Sequence, residues 1–305
     1  MARDTNPLAR LLDAQVAVFP EHETFLRKRL DAADAAEAEF LDDVAEMVLR
    51  STDGRLEDYC KGYRWLCETV FEEEMHFRRT GSYRLSTFKD ALEQVYSDTE
   101  LMTQYMRGLL MTQLWWSNHT KALQMYRDDF LAHNVDGYDH IEVGPGHGLL
   151  LHMALSDPRS GDVTGLDVSR ASLDETTHAL GLLGTKKVPH LLERDVFSDD
   201  PWPSHYDSLV IAEVLEHLET PKLALEKLLA AAKPGGRIFV HMPVNSPAPD
   251  HIYLARTSQD VLDLMTDAGW TIESHVSVPS TGMTLERAIR MDAALSVIAI
   301  GRAPG

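Results

Sequence analysis

Residues 139–168 read DHIEVGPGHGLLLHMALSDPRSGDVTGLDV: a short apolar run, a glycine turn, a stretch of helical spacing, and a second apolar run that reaches Asp167. This order of strand, glycine loop, helix and strand is the β-α-β unit that binds dinucleotides or nucleosides. Gly144, Gly146 and Gly148 let the backbone turn sharply and approach a ligand at a helix N-terminus. Asp167, about 20 residues past the last glycine, ends the next strand, where a carboxylate can accept both ribose hydroxyls.

Glu142 narrows the choice of ligand. A carboxylate two residues before the first glycine opposes a pyrophosphate but suits a cation, such as a sulfonium that carries an α-amino group. The run Ile141-Glu142-Val143-Gly144-Pro145-Gly146-His147-Gly148 resembles the first motif of class I S-adenosylmethionine-dependent methyltransferases. Further pieces follow in that family's order: Asp167, then Glu193-Arg194-Asp195-Val196, then the run from Tyr206 to Leu218, then Lys233-Pro234-Gly235-Gly236-Arg237. The resemblance spans roughly residues 130 to 305 and implies an α/β, Rossmann-like seven-stranded sheet. It also implies S-adenosylmethionine as cofactor. Glu142 and the three glycines would lie at the donor, Asp167 and Val168 at the ribose, Asp195 and Val196 at the adenine, and Glu213 near the methionine moiety.

Residues 1–132 lack such a loop and are rich in Ala, Leu, Glu, Arg and Met at helical spacing, which predicts an all-helical N-terminal domain. Residues 133–305 form the expected cofactor-binding domain. One helix is predicted over Asp31–Arg50 and a second from Leu56 to Arg79, broken at Thr80-Gly81. A third starts at the capping sequence Ser97-Asp98-Thr99-Glu100. The broad Met- and aromatic-rich face of the third helix continues through Leu114, Trp115 and Trp116. It either packs the helices on the sheet, roofs an acceptor pocket, or forms a homodimer interface. Strands are predicted near 139–143, 162–167, 190–194, 206–211, 236–241, 271–278 and 294–301, and the family resemblance makes the last two an antiparallel edge hairpin.

Ligands of open α/β sheets bind beyond the carboxyl ends of the strands. The acceptor candidates are therefore Trp115, Trp116, Asn118 and His119 from the helical half, and His241 and Asn245 at and after the fifth strand. His119, His217 and His251 are the candidate general bases. Glu213, Glu216 and His217 share about one helical turn, and His251 lies in the next loop on the same side of the sheet. Two carboxylates and two imidazoles so placed suit a divalent metal. The pattern resembles the metal site of small-RNA 2′-O-methyltransferases and, more loosely, that of ubiquinone-pathway O-methyltransferases. The Glu-Val-Leu-Glu-His string also occurs in many class I methyltransferases that hold no metal, where the first Glu lies near the methionine moiety.

The formal charge of −19 repels polyanions, and the chain lacks a Lys/Arg-rich aromatic stretch, so a nucleic-acid substrate is disfavoured. No apolar run approaches the length of a membrane span and the N-terminus MARDTNPLAR lacks a signal-peptide core, which predicts a soluble cytoplasmic protein. Cys60 and Cys67, seven apart in a helical stretch, read as reduced core residues. The resemblance implies methyl transfer to a small molecule, with O-methylation in bacterial specialised metabolism as the leading reading. An Ala/Arg/Asp-rich composition supports that setting. A peptide carboxylate, a carbon acceptor, metal-assisted 2′-O or catechol methylation, and a non-enzymatic scaffold are the competing readings.

Overall fold

The computed structural model describes residues 6–203 and 205–305, so the first five residues of the amino-terminal run discussed above lie outside the described residues. The chain begins as helices. Asn6 caps α1 (Pro7–Val18), and α2 (Glu23–Asp31) follows. Helix α3 (Ala35–Ser51) starts four residues later than the spacing predicts. The reason is Asp34, whose carboxylate accepts the Glu37 amide at 2.9 Å and so fixes a break after α2. Helix α4 (Leu56–Thr80) ends at Gly81, whose φ of 72° is the left-handed conformation that closes helices. A short α5 (Phe88–Ala91) runs into a π-helical turn, Leu92–Tyr96. The next helix, α6 (Thr99–Trp115), is capped by Asp98, one residue after the Ser97 that the sequence pattern favours. Ser97 instead turns its hydroxyl back to the Glu93 carbonyl at 2.9 Å. Trp116 is extended between α6 and α7 (Ser117–Met125), so the apolar face read as one helix is broken there.

The second half is a seven-stranded sheet of order β3-β2-β1-β4-β5-β7-β6. Its strands are β1 (Tyr138–Val143), β2 (Ser160–Asp167), β3 (His190–Glu193), β4 (Tyr206–Ala212), β5 (Ala232–Val244), β6 (Thr271–Pro279) and β7 (Leu295–Arg302). Strands β1 to β5 pair in parallel, and β7 runs antiparallel to both β5 and β6, forming the expected edge hairpin. Strand β5 starts four residues before the predicted 236, on Ala232. The crossover helices are α8 (Leu149–Ser156), α9 (Arg170–Leu183), α10 (Pro221–Ala231) and α11 (Ser258–Asp267), with α12 (Leu285–Arg290) inside the final hairpin. Chain order reverses between β1 and β4, which opens the crevice where such sheets hold ligands.

One buried core carries Leu11, Phe40, Tyr63 and Trp115 of the helical half together with Phe239, Ile298 and Ile300 of the sheet. The other face of the sheet packs on α10 and α11 through Leu225, Leu228, Val261 and Met265. The helical half therefore shares a core with the sheet over the end where the crevice lies. Cys60 is buried, Cys67 is half-buried, and neither is in a disulfide. Among the described residues no helix is long and apolar enough to cross a membrane.

Candidate active site

A cavity of about 1830 Å³ runs from the glycine loop to the loop after β5, under the helical half. Single small-molecule pockets occupy roughly 300–1,000 Å³, so this one has room for two ligands.

The glycine loop forms its first wall. Gly144, at φ 68°, lies so close to the next segment that an added Cβ would stand 2.6 Å from Val214 Cγ2. Gly146 also lines the cavity, and its carbonyl accepts the Thr176 hydroxyl at 2.9 Å. Gly148 is left-handed at the start of α8 and packs toward Thr176 and Leu180 without lining the cavity. Its place is in the helix–loop packing. Glu142 is 3% exposed, and burial pushes its carboxyl well above the usual range. Its Oε2 has no partner, which is the mark of a group that waits for a cation or an amine. Asp167 Oδ1 accepts the Ser169 amide at 2.8 Å, while Val168, Asp195 and Val196 line the same wall. These residues fit a nucleoside with a cationic, amine-bearing tail.

The second wall is built by the ends of β4 and β5. The buried run of β4 stops at Ala212, and Glu213 takes the left-handed conformation (φ 53°), a strain of about 1–3 kcal/mol for a residue other than glycine. Its amide donates to the His241 carbonyl at 2.8 Å, and its Oε1 lies 3.1 Å from His241 Nε2. Burial, followed by the Asp250 charge, pushes the Glu213 carboxyl up to about 8, and burial lowers His241 to about 3. A short 3₁₀ turn, Leu215–His217, then aims Glu216 and His217 into the cavity. The loop after β5 is tied to this turn, because the Ile252 and Tyr253 amides both donate to the Glu216 carbonyl at 2.9 Å.

That tie brings Glu216, His217 and His251 together, with one ligand atom of each within 4.8 Å of the others. His217 Nε2 lies 3.7 Å and His251 Nε2 4.0 Å from Glu216 Oε1. Behind the rings, His217 Nδ1 faces the Asp250 carbonyl at 3.2 Å and His251 Nδ1 faces the Ser246 carbonyl at 2.7 Å. Each Nδ1 must donate to its carbonyl, which leaves both Nε2 lone pairs directed at the carboxylate. Both oxygens of Glu216 are buried without a partner, and burial followed by the Glu213 charge drives its carboxyl well above the usual range. Two imidazoles and one carboxylate, pre-set in tautomer around an orphaned acid, fit a divalent first-row metal ion. Glu213, expected as a fourth ligand, lies outside this group; its Oε1 is 3.1 Å from His241 Nε2, with no hydrogen bond made by either atom.

Residues 141–238 match the family model described as a methyltransferase domain. Among solved structures, the S-adenosylmethionine-dependent methyltransferase SibL is similar in fold, at TM-score 0.55 and 18% identity over 82% of this chain and 74% of that one. Residues 141–238 are thus a methyltransferase domain, set in a sheet of the class I, Rossmann-like fold. Two curated relatives of this chain are ubiquinone biosynthesis O-methyltransferases. The one from Idiomarina loihiensis is 25% identical over 51% of this chain and 65% of its own length. The one from Xylella fastidiosa is 28% identical over 51% of this chain and 63% of its own length. The chain thus spans less than two thirds of the length of either relative.

The helical candidates divide. Trp116, Asn118 and His119 line the methyltransferase cavity, and Asn118 is pinned by its amide to Ser296 Oγ at 2.9 Å. Trp115 is wholly buried in the shared core, so only the second tryptophan can wall an acceptor. Asn245 is likewise turned away: its amide donates to the Arg256 carbonyl at 2.9 Å and its backbone, at φ 47°, starts the loop. His119 Nδ1 lies 2.9 Å from Thr112 Oγ1 and 3.3 Å from the Gln113 amide nitrogen, and the Thr112 hydroxyl is also 2.7 Å from the Leu109 carbonyl. Burial, followed by His241 and His147, holds that ring neutral.

Three residues escaped the sequence reading. His147, inside the glycine loop of the methyltransferase, lines the cavity and is lowered to about 4 by burial. Tyr96 and Asp250 meet at the back of His217. Asp250 stands beside His251 in the sequence, and its neighbour was the available signal.

Proposed function

We propose that the chain transfers a methyl group from S-adenosylmethionine to a hydroxyl of a small molecule that chelates a divalent metal, a vicinal diol or catechol being the simplest such group. The observation that carries this reading is the convergence of His217 Nε2 and His251 Nε2 on the unpartnered Glu216 carboxylate, in the same cavity as Glu142 and Asp167. The printed names of the curated relatives agree with O-methylation of a small molecule.

In this reading Glu142 receives the amine of the donor, and Asp167 its ribose hydroxyls. Asp195 and Val196 bound its adenine. Glu216, His217 and His251 hold the metal, which when bound lowers the pKa of the acceptor hydroxyl. His119 and His241, neutral and aimed into the cavity, stand ready to accept the proton that the hydroxyl loses. Trp116 forms the apolar wall, and the helical half, residues 1–132 against 133–305, acts as a lid that excludes water and aligns the acceptor. The composition supports specialised metabolism in the cytoplasm of a high-GC bacterium as the setting.

The test is calorimetric titration of the chelator-stripped protein with S-adenosylhomocysteine, repeated with magnesium, manganese, iron(II) or zinc and with 3,4-dihydroxybenzoate as catechol probe. Probe binding that requires both S-adenosylhomocysteine and metal is the expected result. Product binding that ignores every metal, with no probe binding, would point to a metal-free acceptor site.

A further inference from the structure

Asp250 is 3% exposed, yet it faces three polar side chains. The Tyr105 hydroxyl of α6 donates to its Oδ1 at 2.8 Å. Its Oδ2 lies 3.4 Å from the Tyr96 hydroxyl and 3.4 Å from His217 Nδ1. The Tyr96 oxygen is itself 3.2 Å from that same ring nitrogen. His217 Nδ1 is therefore ringed by the Asp250 carbonyl, the Asp250 carboxylate and a phenol that gives its proton to that carboxylate. The carbonyl and the carboxylate can only accept, so together they call for the proton on Nδ1. The two tyrosines come from the helical half, 145 and 154 positions away from Asp250. Both they and Asp250 lie outside the matched methyltransferase domain.

We propose that Asp250, clamped by Tyr105 and Tyr96, is the positioning residue that sets the tautomer and ring direction of His217, so that the helical half completes the ligand set. This rests on the metal reading given above. A carboxylate behind a ligating imidazole fixes the ring and makes it a stronger ligand, and its loss typically costs about 10–100-fold in metal affinity. A carboxylate that merely joined the two halves would affect stability and leave metal affinity alone. Asp250 lies on the far side of the ring from Glu216, so it acts through His217.

The experiment is calorimetric titration of the chelator-stripped full-length chain with manganese(II), for the wild type, Asp250→Asn and Tyr105→Phe. Product affinity and the thermal midpoint are recorded on the same samples. Asp250→Asn is expected to bind manganese roughly 10–100-fold more weakly while its affinity for S-adenosylhomocysteine stays within about twofold. Tyr105→Phe, which keeps the charge, should lose a smaller factor in the same direction. Should Asp250→Asn fail to fold, the Tyr96→Phe/Tyr105→Phe double variant carries the same comparison. Manganese affinity equal to that of the wild type in a folded variant overturns the proposal. If the wild type binds no manganese, the metal reading itself fails, and nitrogen-15 NMR of the His217 ring decides the positioning claim. A proton on Nδ1 in the wild type that shifts toward Nε2 in Asp250→Asn sustains it, and an unchanged tautomer overturns it.

Discussion

The Nδ1 atom of His251 lies 2.7 Å from the carbonyl oxygen of Ser246, five positions back along the same loop. The Ser246 amide in turn donates to the Tyr83 hydroxyl at 3.1 Å, so the loop is held from the helical half as well as from the sheet. Replacing His251 by alanine should therefore remove a pre-set ligand without disturbing the cofactor wall. Manganese affinity is expected to fall about tenfold or more, as it should in Glu216→Gln. Glu213→Gln should remain close to the wild type, because Glu213 Oε1 is turned to His241 Nε2 at 3.1 Å. Titrations that show equal losses for Glu213→Gln and Glu216→Gln would return Glu213 to the ligand set.

Glu142→Gln addresses the donor half. The carboxylate is buried with Oε2 unpartnered, so its charge becomes favourable only when a cationic group arrives. A hydrogen bond to a charged group contributes about 1.5–3 kcal/mol, hence roughly a 10–150-fold weaker binding of S-adenosylhomocysteine in the glutamine variant. The metal titration of the same variant should be unaltered. A variant that binds the product as well as the wild type would remove Glu142 from the donor site.

The Glu213 carboxyl gives the metal-free protein a pH dependence of definite sign. Burial, then Asp250, raises it from the usual 4.5 to about 8, with Glu216 and His241 also facing it. A raised folded-state pKa means that its contribution to stability is complete below the unfolded value and is lost as pH climbs through the folded one. Glu142 and Glu216 shift in the same direction. As pH rises from the ordinary 4.5 toward about 8, the thermal midpoint of the chelated protein should fall, and Glu213→Gln should flatten that fall. A steeper slope in the variant would contradict the assignment.

The glycine-loop wall of the cavity was legible because its pattern is local. Glycines that need positive φ, the acid before them and the acid ending β2 all lie within one β-α-β unit, and pattern alone orders them. The metal group was half legible: Glu216 and His217 are adjacent, but which of Glu213 and Glu216 joins His251 depends on the left-handed turn at Glu213, which sequence spacing does not encode. Asp250 with Tyr96 and Tyr105 was not legible, since contacts across 145 to 154 positions are set by how α6 lies over the sheet. Trp115 and Trp116 differ for a similar reason. Adjacent side chains on a helix point about 100° apart, and the break after α6 sends the first into the core and the second toward the cavity.

Gly144→Ala tests whether the two halves of the cavity are mechanically joined. The substitution costs twice: the backbone is at φ 68°, and the new Cβ would stand 2.6 Å from Val214 Cγ2. Val214 sits between Glu213 and Leu215, at the start of the segment that carries Glu216 and His217, so pushing it moves these proposed metal ligands as well as the glycine loop. Gly144→Ala is accordingly expected to weaken both S-adenosylhomocysteine and manganese, whereas a loop that acted alone would lose only the first. Adding Val214→Ala removes the clash but leaves the unfavourable backbone conformation, which alone costs about 1–2 kcal/mol. The double variant should thus recover manganese binding while product affinity stays below that of the wild type. Calorimetry on the two variants separates the outcomes, and manganese affinity untouched by Gly144→Ala would show that the glycine loop and the metal segment move independently.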